Sequence, residues 1–161
     1  MIKSISTKEL ASFISASDVY VIDTRPVDAY NGWQLEGEKR GGHIKGAKSL
    51  PLKWTKYMDW IEIVRSKGIA PNHKVIIYGY SENDSQLVAQ QFVKAGYGDV
   101  AIYMGFVEEW SANESLPMER LERFRNLVPA SWVNNLINGG SPAHYNSSKF
   151  VVVHAHYRNR D

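Results

Sequence analysis

The sequence predicts an α/β protein with a mostly parallel central sheet and helices on both faces. Three observations lead there. The short runs 19–23 (VYVID), 74–78 (KVIIY) and 99–103 (DVAIY) are apolar almost throughout rather than alternating, as strands covered on both faces are. Segments with helical spacing separate them. At 161 residues, 43% hydrophobic and 22% charged, the chain suffices for one domain with a real core and is short for two.

Taken in order, Ser6-Thr7-Lys8-Glu9 fits a capping box and opens a helix over about 7–15. Strand 19–23 follows, then a long loop to about Gly46 and an extended stretch at 49–52. Residues 53–67 have helical spacing, with Trp54, Met58, Ile61 and Val64 or Arg65 along one side and Gly68 as the stop. Strand 74–78 runs into a six-residue polar loop, Gly79-Tyr80-Ser81-Glu82-Asn83-Asp84. Ser85 then opens a helix to Ala95, capped by Gly96, before strand 99–103. Ligands of parallel α/β sheets gather at the carboxyl ends of the strands, so this loop lies where a site is expected. Strand, tight loop and helix in that order aim backbone N–H groups at the loop's contents, yet its only charged side chains, Glu82 and Asp84, are acidic.

Net charge is +2 with the signs interspersed, which gives neither a nucleic-acid footprint nor a membrane-binding patch. No apolar run approaches the ~18 residues of a membrane span, and the first ten residues lack the apolar centre of a signal peptide. The cytoplasm is therefore the default compartment, with the periplasm open to a protein whose signal has been removed. Cysteine is absent, so this chain carries no disulfide, thiolate metal site or cysteine nucleophile. His154 and His156 would share one strand face, but no third ligand accompanies them; neither a metal nor a cofactor is expected.

Three ordered segments carry a resemblance to a known family. The stretch from Val21 to Leu50, the Val75–Ser85 strand and loop, and the Val100–Trp110 stretch resemble the signature regions of a rhodanese domain. The first supplies an Asp-x-Arg strand end (Asp23, Arg25) and a His-Ile-x-Gly-Ala turn (His43, Ile44, Gly46, Ala47), with Lys45 where proline is usual. The third supplies a closing element through Gly105, Glu109 and Trp110. The resemblance implies the family fold over about residues 1–110 and structural roles for Asp23, Arg25, His43, Gly46, Gly105, Glu109 and Trp110. In the second region it implies a departure. A working rhodanese carries a cysteine after the strand's aromatic residue, and its thiolate takes sulfane sulfur from thiosulfate. Here that position is Gly79, with Glu82 where glycine is usual and Asp84 where a cation is usual. The loop reads as a degenerate active site with no catalytic residue.

The layout of 127–156 repeats that of 4–25, an entry segment and helix before an apolar strand. The expected organisation is therefore a non-catalytic domain over 1–110, a polar linker over 111–126, and the incomplete start of a second rhodanese-like repeat over 127–161. Tandem members of the family typically carry an inactive first domain and the cysteine in the last. By resemblance this chain is the leading portion of a thiosulfate sulfurtransferase whose cysteine lies outside it; the alternative is a stand-alone, inactive binding or regulatory module. The partner implied is the remaining rhodanese domain of the same protein or of another chain, with no nucleic acid and no membrane.

Overall fold

The computed structural model describes residues 2–147 and 149–155. It contains two units, Met1–Leu127 and Val128–Asp161. The first begins with a short strand, β1 (Lys3–Ile5), that the sequence reading missed. Helix α1 (Thr7–Phe13) follows under the expected capping box: the Ser6 side chain accepts from the Glu9 amide and the Glu9 carboxylate accepts from the Ser6 amide. Strand β2 (Val19–Asp23) matches its predicted bounds. The expected long loop instead contains α2 (Val27–Asn31) and the two-residue strand β3 (His43–Ile44). Pro26 presets the entry to α2, and Gly32, at φ 148°, lets the chain turn away at its end.

After β4 (Lys48–Ser49), the single helix expected over 53–67 is two pieces, a 3₁₀ turn (Leu52–Lys56) and α3 (Trp60–Ser66). The stripe fails at Met58, which is 99% exposed. Thr55 turns inward in its place, donating to the Leu52 carbonyl (2.8 Å) and accepting from Gln91 (3.2 Å). Strand β5 (Lys74–Tyr78), helix α4 (Glu82–Lys94) and strand β6 (Asp99–Tyr103) complete the α/β frame. The five strands lie in the order β1-β6-β5-β2-β4, all pairings parallel.

Because successive side chains of a strand face opposite ways, β5 feeds two cores. Val75 and Ile77 pack with Val88, Phe92 and Val64 from α4 and α3, whereas Ile76 and Tyr78 pack with Leu10, Phe106 and Trp110 on the other face. Covering both faces is what makes the strands read as unbroken apolar runs.

Residues 111–126, expected as a linker, are part of the first unit. A π-helical turn (Phe106–Trp110) leads into strand β7 (Met118–Glu119), which pairs antiparallel with β3. The Arg40 guanidinium donates to the carbonyls of Trp110 (2.8 Å), Ser111 (2.9 Å), Asn113 (2.6 Å) and Leu116 (3.1 Å). Phe124 then meets Trp33 edge-on at 5.5 Å. A polar composition concealed these anchors because the cation holding them lies some 70 residues upstream.

In the second unit, α5 (Ala130–Ile137) is the expected helix, and Trp132 closes the following loop by donating to the Ala143 carbonyl (2.8 Å). The expected strand is absent among the described residues: Phe150–Ala155 has no ladder pairing, and Val151 is 86% exposed. A strand needs a neighbour for its backbone groups, and among the described residues it has none.

Candidate functional site

The carboxyl ends of β2 and β5 lie side by side, Asp23 in register with Tyr78. At that end sits a buried ionic cluster. Arg25 donates through Nε to Asp23 Oδ1 (3.0 Å), through Nη2 to Asp23 Oδ2 (2.7 Å) and the Gly42 carbonyl (2.6 Å), and through Nη1 to Glu38 Oε1 (3.4 Å). The Phe106 ring covers the guanidinium at 3.9 Å, with Tyr78 and Tyr80 at 5.4 and 5.3 Å. All three charged side chains are fully buried. An ion deprived of water needs polar partners, and here all three guanidinium nitrogens donate and every oxygen of the two carboxylates accepts. Tyr78 donates to Asp23 Oδ2 (2.6 Å), Tyr80 donates to Glu38, and the Glu36 amide donates to Glu38 Oε2 (2.8 Å).

The same burial sets the protonation states. Burial works against the charge on Arg25, but Tyr78 and the Asp23 carboxylate outweigh it and raise its pKa above the ordinary value. Burial first, then the neighbouring carboxylates, push both Tyr78 and Tyr80 above the ordinary tyrosine range. Both phenols therefore act as hydrogen-bond donors at neutral pH.

The loop after β5 is shorter than predicted. Helix α4 opens at Glu82, with Ser81 as its N-cap: Ser81 Oγ accepts from the Asp84 amide (3.3 Å) and the Ser81 carbonyl from the Ser85 amide (3.1 Å). Glu82, Asn83 and Asp84 thus form the first helical turn. A serine followed by acidic residues is a better helix start than Ser85, because the hydroxyl satisfies a free N–H and the carboxylates meet the positive end of the helix dipole.

Gly79 is buried and tightly enclosed. The Thr24 amide (2.9 Å) and Thr24 Oγ1 (3.0 Å) both donate to the Tyr78 carbonyl. A Cβ at position 79 would overlap the Thr24 hydroxyl and stand 3.2 Å from Ser85 Oγ. That Ser85 hydroxyl is buried and, among the described residues, has no hydrogen-bond partner.

His43 stands one layer away. Its ring stacks on Tyr30 at 3.7 Å, and Nδ1 lies 2.7 Å from the Tyr30 carbonyl, which makes Nδ1 the protonated nitrogen. Nε2 then faces Glu119, 3.9 Å away, and the Gly46 amide donates to the same carboxylate (3.1 Å). The third group of motif residues lies beside β1 and α1. Glu109 accepts from Thr7, Trp110 donates to the Pro117 carbonyl (3.2 Å), and a side chain on Gly105 would stand 2.7 Å from the Tyr103 hydroxyl. The structure therefore brings Asp23, Arg25 and Tyr80 together around Glu38, places His43 behind them, and sets Gly105, Glu109 and Trp110 as braces. No described histidine, aspartate and glutamate side chains form a group of three able to hold a metal; of the histidine pair, His156 lies outside the described residues. No helix among the described residues is long and apolar enough to cross a membrane.

The family model for the rhodanese-like domain matches residues 6–113. The chain belongs to the rhodanese-like family. It is 32% identical over 124 residues to the thiosulfate sulfurtransferase YnjE of Escherichia coli (strain K12), covering 73% of this chain and 26% of that protein. It is 30% identical over 113 residues to the thiosulfate sulfurtransferase GlpE of Coxiella burnetii, covering 70% of this chain and 91% of that protein. Among solved structures, wild-type EanB superimposes at a TM-score of 0.93 with 45% identity, over 99% of this chain and 37% of EanB. A tyrosine-to-alanine EanB variant holding ergothioneine gives a TM-score of 0.92 at 44% identity, over 98% of this chain and 37% of that one. The chain thus spans about a quarter of YnjE and little more than a third of EanB.

Two residues of this rhodanese-like site were not visible in the sequence: Glu38 pairs with Arg25 from a glycine-flanked loop, and Thr24 fills the space beside Gly79. Ser85 was named there as the residue that opens the helix; that its hydroxyl is buried without a partner among the described residues was not foreseen. Thr24 and Glu38 touch the loop across 55 and 42 positions of sequence, which no local pattern records.

Proposed function

We propose that this chain is the non-catalytic rhodanese-like portion of a longer sulfurtransferase, in which a cysteine outside it passes sulfane sulfur to a thiophilic acceptor. The observation that carries the reading is Gly79, buried where the family places its nucleophile, in a chain without any cysteine. Sulfur transfer through a persulfide needs a thiolate, and the hydroxyls around Gly79 lack a free base: Glu38 is committed to Arg25, and Ser81 caps α4. The short coverage of YnjE and EanB supports a longer protein. Structures of EanB variants hold hercynine or ergothioneine, one of them with ergothioneine covalently linked to a cysteine persulfide. With 44% identity over nearly all of this chain, that pair makes a small imidazole betaine our proposed acceptor class. On this reading 127–161 is the start of a second rhodanese-like repeat.

Incubated with thiosulfate, the purified chain should gain no sulfur by intact mass and should release none to cyanide or hercynine. Continuation of its coding sequence into a cysteine-bearing loop, with hercynine-dependent sulfur transfer by that longer product, completes the test. Sulfur uptake by this chain overturns the reading. A stop codon directly after Asp161 would favour the stand-alone binding module, for which GlpE, a relative covered over 91% of its length, shows that single-domain proteins of this family exist.

A further inference from the structure

The chain contains two Asn-Gly steps, Asn31-Gly32 and Asn138-Gly139. Both close a helix, yet they sit in opposite surroundings. We propose that Asn138 is a site of spontaneous covalent modification, converting to aspartate and isoaspartate, and that the fold spares Asn31. The chemistry needs no partner. The Gly139 backbone nitrogen attacks the Asn138 side-chain carbonyl carbon, a carbon–nitrogen bond forms, and the side-chain nitrogen leaves as ammonia with the proton from the Gly139 amide. Water then opens the resulting five-membered imide at either carbonyl. One opening gives aspartate; the other carries the main chain through the side-chain carbon. Glycine in the second position leaves the attacking nitrogen uncrowded, since it has no Cβ.

Attack requires the amide nitrogen to be free and the backbone to rotate out of its helical conformation. At Gly32 both are blocked. Its amide donates to the carbonyls of Asp28 and Ala29, each at 3.2 Å, and the Asn31 carbonyl accepts from the Leu121 amide at 2.9 Å. Asn31 is buried, and the Phe124 ring lies directly against Gly32. Rotation there would have to lift the 118–126 segment off the domain.

At Asn138 the restraints are those of a fraying end. Asn138, Gly139 and Gly140 are all exposed. The Gly139 amide makes one bond, to the Leu136 carbonyl (3.1 Å), and the Asn138 side chain holds only Asn134 within its own helix, at 2.8 and 3.1 Å. Asn138 is the C-cap of the eight-residue α5, so these bonds open whenever its last turn opens. Gly139, at φ 80°, already occupies the left-handed region that ends the helix.

The test is peptide mapping of the full 161-residue chain aged at mildly alkaline pH, read by mass and by an isoaspartate-specific carboxyl methyltransferase, in buffer and in denaturant. In buffer, carboxyl and methyl-accepting signal should accumulate at residue 138 while Asn31 stays intact. In denaturant the two sites should convert at similar rates, because the sequence step is the same. Two results overturn the proposal: Asn138 unchanged in buffer while converting in denaturant, or Asn31 converting in buffer as fast as Asn138. Asn138→Gln should abolish the new signal while leaving the helix cap's hydrogen-bonding capacity in place.

Discussion

Gly79 is where steric and electrostatic arguments about the loop after β5 part company. The sequence pointed to charge, Glu82 and Asp84 opposing a thiolate. The structure puts space first: any side chain at 79 meets the Thr24 hydroxyl. Gly79→Cys should therefore cost about 1–3 kcal/mol, as overpacking does. Trimming Thr24 to glycine in the same protein should recover part of that loss and speed thiol alkylation. Denaturant midpoints and iodoacetamide rates check it; equal stabilities of the single and double variants would show that Thr24 moves aside freely. Glu82 and Asp84 have a second role in the first turn of α4, each worth ~0.3–1 kcal/mol to the helix, so removing them to rearm the loop weakens the element that frames it. At Arg25 the expectation is larger. Arg25→Met leaves Asp23 and Glu38 buried without their cation and should cost about 3–5 kcal/mol in urea unfolding, whereas Lys39→Met, an exposed neighbour of the same loop, should cost little. Asp23, Arg25 and Gly79 were legible because their motif is local. Glu38 and Thr24 were not, since their meaning appears only when two strand ends meet.

The elements show the same division. Strands 19–23, 74–78 and 99–103 keep their predicted bounds because both faces are covered and all but one residue of each contributes to the apolar run. The two-residue strands β3 and β7 have no such signal; they exist because His43 and Glu119 are brought together from 76 positions apart. That small ladder carries a pH-dependence. Burial lowers the His43 pKa from its ordinary 6.5, ahead of the opposing pull of the Tyr30 carbonyl, Asp23 and Glu119, with Arg25 lowering it further. As pH falls below 6.5 the unfolded chain takes the proton first, so stability is full above that value and declines through the folded pKa below it. His43→Gln should remove this component: the difference in unfolding free energy between wild type and variant should shrink as the solution is acidified from pH 7.5. A difference independent of pH would mean that the folded imidazole titrates normally.

On the scale of the whole chain, composition misplaced the boundary. Residues 111–126 look like a tether, but Arg40, the β3–β7 pairing and Phe124 bind them to the first unit. Limited digestion with a nonspecific protease should open 139–149, around the exposed Gly139 and Gly140, well before it cuts 111–126. Arg40→Ala should reverse that order by freeing four carbonyls at once. Early cleavage of the wild type within 111–126 would show that these bonds do not persist in solution.

The unpaired Phe150–Val153 stretch has one more effect, on how the chain behaves in a tube. Four consecutive apolar, mostly β-branched residues stand exposed without proline or internal charge, and Lys149 is the charge that borders them. Such a segment stacks readily with copies of itself, and flanking charges act as its gatekeepers. Preparations of this chain should have a concentration ceiling set by this stretch. Neutralising Lys149 should lower that ceiling, and a lysine in place of Val152 should raise it, with the folding of 1–127 untouched.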